Sequence, residues 1–167
     1  DGALWIGTTG GGLIRRAPDG GATRFSTDDG LGSDTIYSVL ATSTGDLWVG
    51  TDNGLSRRDG ARFTTLGPAD GLSHHNITAL AEAPDGGIWV GTIRGLNRLA
   101  PGPDGGITQL AAFAGTSVFA LTQGSRGELW VGTDRGLARV RHDTVRFYTR
   151  RHGLYDDVAF AVLEDGE

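Results

Sequence analysis

One strand-length phrase occurs four times in this chain and limits its fold more than any other feature. The copies are Leu4-Trp5-Ile6-Gly7-Thr8, Leu47-Trp48-Val49-Gly50-Thr51, Ile88-Trp89-Val90-Gly91-Thr92 and Leu129-Trp130-Val131-Gly132-Thr133. Their tryptophans stand 43, 41 and 41 residues apart. β-Branched and aromatic runs bounded by glycine read as short strands. A Gly-Leu pair follows each run (Gly12-Leu13, Gly54-Leu55, Gly95-Leu96, Gly136-Leu137) and opens a second strand carrying Arg15, Arg57, Arg98 or Arg139. That is a hairpin whose loop uses glycine for its positive φ.

A third strand is expected around Thr23-Arg24-Phe25, Ala61-Arg62-Phe63, Thr108-Gln109-Leu110 and Val145-Arg146-Phe147. A longer loop comes next. It holds Asp-Gly-Leu or His-Gly-Leu in three copies and a shorter Ala114-Gly115-Thr116-Ser117 in the other. An apolar fourth strand begins at Ile36, Ile77, Val118 and Ala159. Four strands in about 41 residues, repeated, specify β-propeller blades. The expected class is all-β: a propeller of four-stranded antiparallel blades, four repeats over residues 1–167, starting in mid-blade. The stretch Ala159–Leu163 is then expected to complete the first blade, in this chain or in another copy. No window carries a 3.6-residue apolar period free of glycine, so helical repeats are excluded. The chain contains no Met, so it reads as an excised, processed or engineered segment.

The pattern resembles the two-component regulator propeller repeat. The closest stretches are His74-His75-Asn76-Ile77-Thr78-Ala79-Leu80, Gly87-Ile88-Trp89-Val90-Gly91-Thr92 and Gly95-Leu96-Asn97-Arg98. The resemblance implies a ligand-sensing or assembly scaffold from a bacterial, periplasmic sensor region of a hybrid histidine kinase. It also implies a parent with more blades, a membrane helix and a kinase. Streptogramin-type lyases, which are propellers with related Trp-bearing repeats, are the enzymatic alternative; they use a catalytic His with metal-binding acids.

Composition narrows the chemistry. A net charge of −5 is a poor match for nucleic acid or an anionic membrane surface. The absence of Cys removes thiolate zinc sites and thiol nucleophiles. No nucleophile elbow or phosphate loop occurs, so no catalytic residues, metal or cofactor are assigned. The tryptophans could stack sugars, but their apolar flanks place them between adjacent sheets, with Gly admitting a close neighbour and Thr satisfying the turn. The four arginines could form an anion ring, or each could lie on the neighbouring blade and pair with an acid. His74 and His75, adjacent on an extended segment, should point to opposite sides and chelate poorly. The Asp-Gly pairs are turn chemistry rather than calcium loops.

Strand alternation brings the loop before the innermost strand and the hairpin after Gly-Thr to one face. The expected ligand residues there are Asp34, His74, His75, Asn76 and Asp156 from one loop set and Asn53, Arg94 and Arg135 from the other. A small molecule or glycan is the expected ligand. Four blades closing alone need about 90° per blade and eight need about 45°. Two chains sharing one eight-bladed ring are therefore the expected assembly.

Overall fold

The computed structural model describes residues 2–102, 105–142 and 144–165. Its strands are β1 (Leu4–Gly7), β2 (Leu13–Arg16), β3 (Ala22–Phe25), β4 (Ile36–Ala41), β5 (Leu47–Thr51), β6 (Gly54–Asp59), β7 (Arg62–Leu66), β8 (Ile77–Glu82), β9 (Ile88–Thr92), β10 (Gly95–Leu99), β11 (Ile107–Gln109), β12 (Val118–Gln123), β13 (Leu129–Thr133), β14 (Gly136–Arg141) and β15 (Thr144–Tyr148). They form four antiparallel meanders: three-stranded β1-β2-β3 (blade one), then four-stranded β4-β5-β6-β7 (blade two), β8-β9-β10-β11 (blade three) and β12-β13-β14-β15 (blade four). Strands β4, β8 and β12 are the inner edges and lie side by side. The chain is thus a β-propeller.

Three of the four tryptophans pin one blade to the next. Trp48 clusters with Ile88, Val90 and Leu99 of blade three, and Trp89 packs on Leu129, Val131 and Val140 of blade four. Trp5 does the same against Leu47 and Val49. The following glycine is the point of closest approach: a Cβ on Gly50 would stand 2.8 Å from Ile77 Cγ2, within repulsive range. The buried threonine then closes the hairpin. Thr51 Oγ1 donates to Gly54 C=O (2.9 Å) and accepts from Asn53 N–H (3.0 Å); Thr92 and Thr133 repeat both bonds. This gives the structural reading of the Trp-x-Gly-Thr phrase its mechanism: one hydroxyl satisfies two turn groups that would otherwise be buried unpaired.

The Asp-Gly-Leu loop also has a structural basis. Asp29 and Asp70 accept the N–H of Ser26 and Gly67, capping one-turn helices at Thr27–Asp29 and Pro68–Asp70. Gly30 and Gly71, at φ 97° and 110°, end those turns in the left-handed region, and Leu31 and Leu72 are buried beyond. In blade three this loop is shorter, as the sequence reading expected: eight residues lie between β11 and β12, against ten between β7 and β8. Ala111-Ala112-Phe113 stands in register with Asp70-Gly71-Leu72, and Phe113 fills the buried leucine position.

Residues 158–165 form no strand within this chain, and β1 pairs with β2 alone. The segment runs beside blade four, in the place β8 holds beside blade two. Ala159 N–H donates to Thr133 C=O (2.9 Å), and Thr122 Oγ1 donates to Val162 C=O (2.7 Å). Ser125 bonds Glu164 as Ser43 bonds Glu82.

Candidate functional site

The two loop sets do emerge on one face. Asp52 N–H donates to Thr35 C=O (3.3 Å) and Asp134 N–H to Ser117 C=O (3.1 Å), tying each hairpin tip to the loop before its own inner strand. Gly54 N–H donates to His75 C=O (2.6 Å), so the blade-two hairpin also touches the loop of blade three. Asn53, His74, His75, Asn76 and Arg94 are therefore neighbours.

His74 and His75 do not point apart. Their rings stack with centroids 4.0 Å apart, because the chain bends here instead of running extended. His74 Nδ1 accepts the Asn76 N–H (3.0 Å). Desolvation first, then the nearby charges of His75 and Arg94, hold the His74 pKa below the ordinary 6.5. A neutral, acceptor-bearing His74 beside an exposed His75 suits hydrogen bonding to a polar ligand. No group of three metal-ligating side chains occurs among the described residues.

The other expected residues divide. Asp34 is spent on structure: it accepts Thr27 N–H (2.9 Å) and pairs with Arg24 (3.1 Å), while its C=O receives Gly10 and Gly12. Asn53 Nδ2 reaches Gly32 C=O (3.0 Å), and Arg135 donates to Thr116 Oγ1 (3.3 Å) with its guanidinium over Phe147. Arg94 and Asp156 stay exposed. Asp157, rather than Asp156, repeats the role of Asp34, accepting Arg150 N–H at 2.7 Å.

Sequence reading missed an aromatic row. The inner strands β4, β8 and β12 each carry a register shift spanning Ile36/Ser38, Ile77/Ala79 and Val118/Ala120. The extra residue in each is Tyr37, Thr78 or Phe119, and Phe160 holds the equivalent position in the last repeat. A bulge re-aims the residue it inserts. Phe119 and Phe160 meet with ring centroids 4.9 Å apart, and Thr78 Oγ1 donates to Val118 C=O. Tyr37 and Phe160 remain 52% and 71% exposed, so solvent-facing aromatic surface lines the inner edge just inside the loop face. The signal was available as an aromatic recurring one position after the start of three of the four inner segments.

The arginine question resolves blade by blade. Arg57 pairs with Asp46 (2.8 Å) over the Trp48 ring, and Arg98 pairs with Asp85 over Trp89. Both carboxyls are held below the usual range, Asp46 chiefly by the Arg57 hydrogen bond and Asp85 chiefly by the Gly87 N–H. Arg139 lies over Trp130 and has no such acid among the described residues.

Residues 30–53, 71–94 and 112–135 match the two component regulator propeller family. No curated protein matches the chain. Among solved structures, the chain is similar to the extracellular domain of BT4673 from B. thetaiotaomicron, described as a hybrid two component system. That match has 29% identity, 99% coverage of this chain and 24% of that one, and a TM-score of 0.85. The extracellular domain of BT3049 from the same organism, described alike, matches at 26% identity over 85% of this chain and 20% of that one, with a TM-score of 0.74. A streptogramin B lyase shares the fold at 18% identity, covering 87% and 50% of the two chains with a TM-score of 0.65. The chain thus spans about a quarter of the sensor ectodomain it resembles at 29% identity. Three repeats of this β-propeller chain thus match the two component regulator propeller family, and the same residues recur in step in the fourth copy.

Proposed function

We propose that the chain is a non-enzymatic recognition segment of a periplasmic or extracellular sensor propeller, binding a small molecule or glycan on its loop face. The observation that carries this reading is the inner-edge aromatic row of exposed Tyr37, half-buried Phe119 and exposed Phe160, on the same face as the His74–His75 stack. Flat aromatic surface takes a sugar or planar ring, and nearby polar groups orient it. The likeness to two sensor ectodomains supports the same reading. It is tested by screening neutral oligosaccharides and small metabolites by thermal shift, with product analysis of every hit. The expected result is a saturable rise in Tm with each hit recovered intact; conversion of a hit to product would overturn it and favour a lyase.

For assembly, we propose that two copies share one eight-bladed ring. The uncovered inner edge of β1 and the exposed Phe160 and Leu163 favour this. The register of the other blades would set Val162 opposite Ile6 and Leu163 opposite Trp5 of the second copy. Oxidation of an Ile6→Cys/Val162→Cys variant should give covalent dimers in this cysteine-free chain; a product that is wholly monomeric would refute the pairing.

A further inference from the structure

The outer hairpin of blade four breaks the charge pattern of its siblings. In every blade the strand arginine stands between the tryptophan on one side and a fixed position on the other. That position is Thr23 opposite Arg15, Thr64 opposite Arg57, Thr108 opposite Arg98, and in blade four Arg146 opposite Arg139. One step outward, blade two pairs Asp59 with Arg62, whereas blade four pairs Arg141 with Thr144. Like charges directly opposite on paired strands repel.

The acids that answer these arginines elsewhere do not answer them here. The residue in register with Asp46 is Glu128, which is buried against Gly124, and the residue in register with Asp85 is Arg126. Arg139, Arg141 and Arg146 therefore make no ion pair among the described residues. Their guanidinium groups are held at two points by rings, Arg139 over Trp130 at 5.9 Å and Arg146 over Tyr148 at 5.1 Å. With His142 and Thr144 they line a shallow cavity of 270 Å³. His142 has φ 50° in a turn where blade two uses Gly60 at φ 59°. A two-residue hairpin turn uses that region, and His is among the side chains that enter it. Asp143, its neighbour in sequence, lies outside the described residues.

We propose that this face is an oxyanion site, with a phosphate or sulfate group held between Arg139 and Arg146 and reached by Arg141. Guanidinium forks match tetrahedral oxyanions in geometry and charge, and three of them on one sheet face repel until an anion sits among them. The outer margin of this face stays open where blades pack together. Arg57, beside a Trp48 covered by blade three, keeps 42% side-chain exposure, while Arg98, drawn down by Asp85, keeps 16%. The cavity suits one tetrahedral group, either a free ion or the end of an ester.

The test uses the protein and its Arg146→Thr variant, which carries the residue of the other three blades, with Arg141→Gln as a second variant. Sodium sulfate and sodium phosphate are titrated against sodium chloride at equal ionic strength, followed by Tm and calorimetry. The wild type should bind saturably, and each variant should bind about tenfold or more weakly for the loss of one charged hydrogen-bonding partner. A sulfated monosaccharide binding more tightly than sulfate identifies an ester ligand, and the reverse order identifies the free ion; both uphold the site. Equal Tm rises in wild type and variants, or a rise that never saturates, is general salt exclusion and would overturn it.

Discussion

Blades two and four follow one template and treat the space beside the tryptophan differently. In blade two Trp48 is 7% exposed, covered by the next sheet, and the arginine beside it is answered by Asp46. In blade four the acid at that position, Glu128, is buried against Gly124 and does not answer the arginine, and a second arginine faces the first. The packing module repeats because every inter-sheet contact poses the same steric problem. The charge around it drifts because exposed ion pairs contribute little to stability. Variation that packing tolerates is where a repeat can acquire a site.

The largest effect should separate the two tryptophans. Trp48→Ala removes a fully packed indole and should cost about 3–5 kcal/mol; Trp130→Ala should cost clearly less in a monomer and approach that cost once a second copy covers Trp130, as denaturant unfolding would show. Equal costs in a monomer would mean that the blades do not differ in cover. Next comes the hydroxyl that closes the hairpin. Thr51→Val leaves Asn53 N–H and Gly54 C=O without their partner and should cost about 1–3 kcal/mol by the same measurement. Thr133→Val should cost the same, since both hydroxyls are buried and make the same two bonds.

Two smaller effects concern charge. Asp46 has a folded pKa below its unfolded value, so its contribution is present above the unfolded pKa of about 3.9 and is lost as pH falls through the folded value. Asp46→Asn should flatten the acid limb of the stability–pH curve, and Arg139→Ala should leave that limb unchanged. His74 works in a higher window. Its folded pKa is also depressed, so the unfolded chain takes up the proton first and stability falls as pH drops below about 6.5. His74→Gln should remove that slope. The smallest effect is a gain: without phosphate or sulfate, Arg146→Thr should stabilise the chain by about 0.2–1 kcal/mol by relieving Arg139.

Much of the fold was legible in the sequence, because a buried strand between glycines at a fixed period admits few solutions. The Trp strands, the Gly-Leu hairpins and the inner strands from Ile36, Ile77 and Val118 are where the repeat places them. Phe113 was not legible, since a phenyl replaces leucine by filling volume and leaves no motif behind. The His74–His75 stack was misread by treating a bend as extended chain, for which side-chain alternation fails. The aromatic row was hidden for a related reason: a bulge interrupts the period of two that sequence patterning relies on. Arg146 gains meaning only with the register, since nothing along the chain says that it faces Arg139.

The most direct test of the functional reading is a thermal-shift titration of a screened oligosaccharide or metabolite hit against wild type, Tyr37→Ser, Phe160→Ser and Arg146→Thr. Tyr37 and Phe160 are exposed enough that their loss should leave the fold intact. The ligand-induced rise in Tm should be lost or strongly weakened in the two aromatic variants and kept in Arg146→Thr. A rise that survives both aromatic substitutions unchanged would contradict recognition at the loop face.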